Sequence, residues 1–280
     1  MPDIGFVNGR FMPLREAMVP VEDRGFQFGD GVYEVIRTYC GVPFQLEAHL
    51  ARLERSARAI ELPLSFTSQE WARYVVEGIR LGGYAESKVY IQLTRGVAPR
   101  EHQFPASVRP TTVMTVREMH SVDARLRTQG VGVLTMEDLR WGRCDIKSVN
   151  LLANVMARQR AHLAGAFEAV FVRGGEVTEG AVSNVMVVTQ GALVTEPEGE
   201  RILSGVTRDV ALTLARKEGV AVQERPIGLD ELRGADEMFL TGTTVEILPV
   251  VRVDDAVVGS GKPGDITKML YDRFQRSLGS

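Results

Sequence analysis

The feature that most constrains how this chain can fold is its rhythm. Alternating strand-like runs keep returning in pairs joined by tight turns, and helix-length periodic runs fall between them at irregular intervals. The opening "IGFVNGRFMPL" is strand, Asn8-Gly9 turn and strand, a strong local hairpin signal. "GVYEVIRTYCGVPFQL" alternates Val32, Glu34 and Ile36 against Tyr33, Val35 and Arg37, then turns at Gly41. "EAVFVRGGEVTEG" and "NVMVVTQGALVTEP" repeat the pattern in the second half. Parallel neighbours need a long crossover between them, so this density of hairpins favours an α+β architecture over a doubly wound parallel sheet.

Helical periodicity is clear over about residues 47–60, where Leu46, Leu50, Leu53, Ala57 and Ile60 share a stripe and Arg52, Arg55 and Arg58 fall mostly off it. A second helix is predicted from the capping box at Thr67 to Glu70 as far as Gly82-Gly83. Others are expected over about 150–163, 207–217 and, briefly, 230–232. "SKVYIQLTRG", "TTVMTVREM", "VGVLTME", "VAVQERPI", "EMFLTG" and "VVRVDD" read as strands. Residues 121–130 are polar and aperiodic, which predicts a linker between a small N-terminal α+β domain (1–120) and a large C-terminal domain (131–280). With 280 residues the chain is long enough for two modest cores.

Composition removes several function classes. Hydrophobic content of 44% and charged content of 25% are ordinary for a soluble globular protein. A net charge of -3, with cations interleaved among acids, supplies no footprint for nucleic acid. No window reaches the roughly 18 apolar residues of a membrane span. Cys40 and Cys144 have neither zinc-site spacing nor the number of a disulfide scaffold, which fits a reducing cytoplasm. Four scattered histidines show no metal-ligand spacing, and no G-x-S-x-G elbow is present.

Four features carry chemistry, each with a plainer reading beside it. Lys147, one of five lysines, stands between Ile146 and Ser148 ahead of an apolar-periodic run. Desolvation there would favour a free amine able to condense with an aldehyde; the alternative is an exposed ammonium at a helix start. Gly205, Val206 and Thr207 open a helix whose N–H groups and hydroxyl can bind phosphate, or form a simple threonine cap. Glu179 follows a hairpin turn, as a carboxylate aimed at a protonated ring nitrogen or as a solvated turn residue. Arg95, Arg100 and His102, near the loop between Pro99 and Pro105, form either a carboxylate site or a polar surface loop.

In the order "FGDGVYEVIRTYCG", "HLARLERSA", "YIQLTRGVAPREHQFP", "RCDIKSVNLLANVMARQRA", "EVTEG", "ILSGVTRDV" and "TTVEILPV", the chain resembles the fold-type IV pyridoxal-phosphate-dependent aminotransferases, most closely their D-amino-acid branch. The resemblance implies a two-domain α+β fold, with a small α/β N-terminal domain and a larger pseudo-barrel C-terminal domain, and pyridoxal 5'-phosphate as cofactor. Lys147 would carry that cofactor as a Schiff base and move the substrate proton. Glu179 would meet the pyridine nitrogen, Leu203 would pack on the ring, and Arg52, Val206, Thr207 and Thr243 would form the phosphate cup. Tyr33, Arg100 and His102 match the residues that bind the substrate carboxylate, the last two from the other subunit of a homodimer. The implied reaction is ping-pong transamination of D-amino acids with 2-oxo acids, such as D-alanine with 2-oxoglutarate.

The chain departs from the expected pattern at Ala181-Val182-Ser183, where more hydroxyls are common, and at Gly242, where serine is common. These departures imply fewer hydrogen bonds around the phosphate, or bonds supplied by Thr241, Thr243 and Thr244. A branched-chain L-amino-acid aminotransferase, an (R)-amine transaminase and aminodeoxychorismate lyase share the cofactor residues. A non-catalytic binding protein of the same fold is the remote alternative.

Overall fold

The computed structural model describes residues 3–107 and 109–278. Its contacts divide into two compact units, Met1–His120 with Ile146–Asn150, and Ser121–Asp145 with Leu151–Ser280.

The first unit contains β1 (Ile4–Val7), β2 (Arg10–Pro13), α1 (Arg24–Phe28), β3 (Gly31–Tyr39), β4 (Val42–Pro43), α2 (Leu46–Ala59), α3 (Ser68–Gly82), β5 (Ser87–Thr94) and β6 (Thr111–Glu118). Asn8 (φ 48°) and Gly9 (φ 91°) both adopt the left-handed conformation that a two-residue hairpin turn requires. The sheet order is β2-β1-β6-β5-β3-β4, antiparallel throughout. At α3 the capping box forms as read: Thr67 Oγ1 accepts from Glu70 N, and Glu70 accepts from Thr67 N. The core gathers Phe6, Ile36, Leu53, Trp71, Val75, Ile91 and Met114.

The short segment Ile146–Asn150 lies along β3. Tyr33 N donates to Lys147 O at 2.9 Å, Val149 N donates to Gly31 O at 3.1 Å, and Ile146 enters the core just described. The sequence reading set Lys147 in a domain beginning at 131. Its neighbours group it with the first unit, because backbone bonds to β3 and one buried isoleucine hold it there.

The second unit begins with α4 (Ala124–Gln129), where a linker was expected. Asp123 caps it by accepting from Arg125 N, and at six residues it is too short to display a period. There follow β7 (Val131–Glu137), α5 (Leu152–Leu163), β8 (Glu168–Arg173), β9 (Glu176–Gly180), β10 (Asn184–Thr189), β11 (Ala192–Thr195) and α6 (Val206–Lys217). Then come β12 (Val222–Glu224), β13 (Ile227–Gly228), α7 (Leu229–Arg233), β14 (Glu237–Gly242), β15 (Glu246–Val253), β16 (Ala256–Val257) and α8 (Asp265–Ser277). The sheet runs β12-β11-β10-β14-β15-β7-β8-β9-β13, with β16 on β15. Most pairs are antiparallel, while β7 lies parallel to both β8 and β15, and β12 lies parallel to β11. The mixture of hairpins and helices is the expected α+β class.

Candidate active site

Lys147 is half-buried. Its backbone N–H donates to Ser56 Oγ on α2 at 3.1 Å, so strand β3 and helix α2 together fix where its side chain begins. From there Nζ reaches the Tyr33 hydroxyl at 3.5 Å and lies 4.4 Å from the centre of that ring. Tyr33 pairs with Gln92 across β3 and β5, and its ring lies 5.6 Å from that of Tyr90. Burial pushes the Tyr90 phenol up to about 12, so it stays neutral.

Arg52 is only 4% exposed, contrary to its assignment off the buried stripe of α2. The reason is Glu34, which points inward with Val32 and Ile36 and is fully buried. Arg52 grips it with two bonds, Nε to Oε1 at 2.6 Å and Nη2 to Oε2 at 2.9 Å. His49 Nδ1 lies 2.8 Å from Oε2. Burial alone would raise the Glu34 pKa, but the Arg52 charge and the bonds from His49 and Arg52 outweigh it and hold the acid at about 2. Burial lowers the His49 pKa more than Glu34 raises it, so the neutral ring donates from Nδ1 to the carboxylate.

Arg95 is corrected. It is buried, and its Nε donates to Asp30 while Nη1 and Nη2 donate to the carbonyls of Glu61 and Ile60. A guanidinium so engaged is a structural tie. Arg100 and His102 lie on the exposed loop as expected, gathered around Phe28: the Arg100 guanidinium is 4.6 Å and the His102 ring 5.5 Å from its centre.

The second unit carries the acid and the helix start. Glu179 is buried at the end of β9, and its Oε2 accepts from Asn184 Nδ2 and from Leu203 N, each at 3.1 Å. Oε1 accepts from Arg140, whose other nitrogens reach Asp138 and Thr178. Burial works against the Arg140 charge, but its bond to Asp138 and the charges of Glu179 and Asp138 raise its pKa above the usual arginine range. Glu179 is therefore held on three sides, which a solvated turn residue is not.

Asn184 also donates to Leu203 O at 2.9 Å, and its Oδ1 sits where a Cβ on Gly205 would be. Glycine is required there by close approach. Gly205 is the N-cap of α6 without any side-chain cap bond, and Thr207 lies within the first turn rather than capping it. Asp209 N donates to Gly205 O at 3.0 Å, and the N–H groups of Val206, Thr207 and Arg208 before it have no intrahelical acceptors. Across β10 and β14, Asn184 pairs with Thr241, so both side chains lie on one face of the sheet. Thr241 Oγ1 is buried with no hydrogen-bond partner. An orphaned hydroxyl beside an uncapped helix start suits a bound phosphate. Gly242 leaves room for a Cβ, and Val206 and Thr207 are buried while Leu203 and Thr243 are half-buried. Sequence reasoning missed Arg140, Asn184, Glu34 and His49. For Glu34 a signal existed, an acid in the apolar series of an alternating strand.

The sequence profile of the amino-transferase class IV family matches residues 31–253. The chain belongs to that family. It is 44% identical over 271 residues to the D-alanine aminotransferase of Bacillus licheniformis, covering 97% of this chain and 95% of the relative. With that of Staphylococcus haemolyticus it shares 40% over 275 residues, 98% of both chains. Among solved structures, the branched-chain amino acid aminotransferase of Escherichia coli superposes with a TM-score of 0.93 at 27% identity, covering 99% of this chain and 95% of that one. The fold IV-transaminase of Curtobacterium pusillum gives a TM-score of 0.83 at 28% identity, covering 97% and 93%.

Proposed function

We propose that this chain is a pyridoxal-phosphate-dependent aminotransferase that exchanges amino groups between D-amino acids and 2-oxo acids, converting D-alanine and 2-oxoglutarate to pyruvate and D-glutamate by a ping-pong cycle. The observation that carries the reading is the near full-length similarity to D-alanine aminotransferases. Structural similarity to branched-chain enzymes reflects the common fold, at much lower identity.

When bound, the cofactor supplies an aldehyde and a protonated ring that draws off the electron pair left as the substrate Cα–H bond breaks. Lys147 Nζ takes and returns the proton at Cα, oriented by the Tyr33 hydroxyl. Glu179 keeps a proton at the ring nitrogen, with Arg140, Asn184 and Leu203 N fixing its carboxylate. Leu203 would pack on the ring. Arg52 supplies the cation for the phosphate, and Val206, Thr207, Thr241 and Thr243 supply N–H and hydroxyl donors. Tyr33 binds the substrate carboxylate together with Arg100 and His102 from the second subunit of a homodimer. That pairing fixes which face of Cα meets the lysine, and so the chirality accepted. The free thiols of Cys40 and Cys144 suit the cytoplasm.

The test is a panel of half-reactions with the cofactor-loaded protein, followed by loss of its visible absorption. D-alanine should react at least roughly a hundredfold faster than L-leucine, since chirality here is read by fixed polar groups. Faster reaction with L-leucine would move the protein to the branched-chain group. Lys147→Ala should abolish turnover; retained turnover would remove the lysine from its role.

A further inference from the structure

Arg24 is 3% exposed and has no part in the chemistry above. It sits at the start of α1, in a stretch stitched to the strand end that leads into the Arg100 loop. Arg24 N donates to Gly96 O at 2.9 Å, Arg95 N to Asp30 O at 3.0 Å, and Ala98 N to Glu22 O at 3.3 Å. Asp23 tightens the seam by accepting from Gly25 N at 2.8 Å and Thr94 Oγ1 at 2.9 Å. A Cβ on Gly25 would collide with Thr94, so the approach depends on glycine.

Past Ala98 the loop leaves this pairing, and side chains take over. Asp30 Oδ2 accepts from Arg24 Nε and Arg95 Nε, both at 2.8 Å. Arg95 spends its remaining donors on the end of α2. Arg24 spends its own on the loop, with Nη1 to Glu101 O at 2.5 Å and Nη2 to His102 O at 3.5 Å. Phe28, on the same short helix, lies 4.8 Å from the Arg24 guanidinium and contacts both Arg100 and His102.

We propose that Arg24 is the positioning residue of the carboxylate-binding loop: by holding the carbonyls of Glu101 and His102 it sets where Arg100 and His102 meet a substrate carboxylate. The proposal rests on the reading of those two residues as carboxylate binders. Three acceptors surround one planar group, which suits the fork of arginine and not the single nitrogen of lysine. Two-point pairing with a carboxylate is sensitive to displacements of roughly 0.5 Å. Loss of Arg24 therefore weakens substrate binding while the residues on the cofactor stay in place.

The experiment compares wild type, Arg24→Gln and the gentler Arg24→Lys as full-length, cofactor-loaded proteins. Hydrogen exchange over residues 96–105 should accelerate at least about tenfold in Arg24→Gln, against little change elsewhere, as expected when a local anchor is lost. KM for D-alanine should rise roughly tenfold or more, with kcat within about threefold and pyridoxal 5'-phosphate affinity within about twofold, the signature of lost uniform binding. If Arg24→Gln fails to fold, Arg24→Lys should show both effects in smaller measure. Unchanged exchange in the loop overturns the proposal, as does accelerated exchange with an unchanged KM or with an equal fall in cofactor affinity. A wild-type protein inert toward D-alanine would sink the substrate reading, and the exchange arm would still decide whether Arg24 holds the loop.

Discussion

Replacing Glu34 by Gln removes the charge from a fully buried carboxylate that Arg52 holds with two bonds and His49 with a third. The native pKa of about 2, against an ordinary value of 4.5, corresponds to roughly 3 kcal/mol of stability at neutral pH. Breaking a buried pair by removing one partner typically costs about 3–5 kcal/mol, in agreement. The sign follows from the direction of the shift. A depressed carboxylate pKa stabilises the fold above the unfolded value, and the contribution drains away as pH falls from about 4.5 toward about 2. Wild type should therefore exceed Glu34→Gln by about 3 kcal/mol at pH 6 and by about half that at pH 3. Urea unfolding at fixed protein concentration, followed by tryptophan fluorescence, measures the gap at each pH. A gap that stays constant from pH 6 to pH 3, or one below about 1 kcal/mol at pH 6, would refute the assignment of this stability to an ionised Glu34.

Two further substitutions probe the second unit. Arg140→Leu leaves Glu179 with two donors instead of three, and pyridoxal 5'-phosphate affinity by equilibrium dialysis should fall roughly tenfold, as for loss of a group orienting a bound cofactor's ligand. Gly205→Ala drives a Cβ into Asn184 Oδ1, so thermal unfolding should show a loss of about 1–3 kcal/mol, with weaker cofactor binding alongside; an unchanged melt would mean that Asn184 moves aside freely.

What was legible in the sequence was local. The Asn8-Gly9 turn needs only two residues with positive φ, and the box at Thr67 and Glu70 closes within one turn, so both could be read directly. Helix α8 could not. Its N-cap is Gly264 with no capping side chain, and the acceptor for Ile266 N and Thr267 N is Glu237 on β14, far back in the chain. Arg52 was misplaced on its helix for the same kind of reason: the acid that draws it inward lies on another element, and periodicity treats arginine as solvent-facing. Glu34 was in plain view between Val32 and Ile36, but an acid in a buried series announces a partner without naming it. The likeness to a known family supplied the candidate residues, while the supports behind them, Arg140, Asn184 and Arg24, emerged only from the folded chain.

Asn184 has one more consequence. Its amide touches the acid proposed for the ring nitrogen and the glycine that opens the helix proposed for the phosphate. If the cofactor is held as proposed, a single side chain would gauge both of its ends, and the distance between them would be a property of the sheet rather than of two independent loops. A pyridoxal analogue with a lengthened phosphate arm would find no compensating play, and a mutation at residue 184 would recalibrate both ends at once.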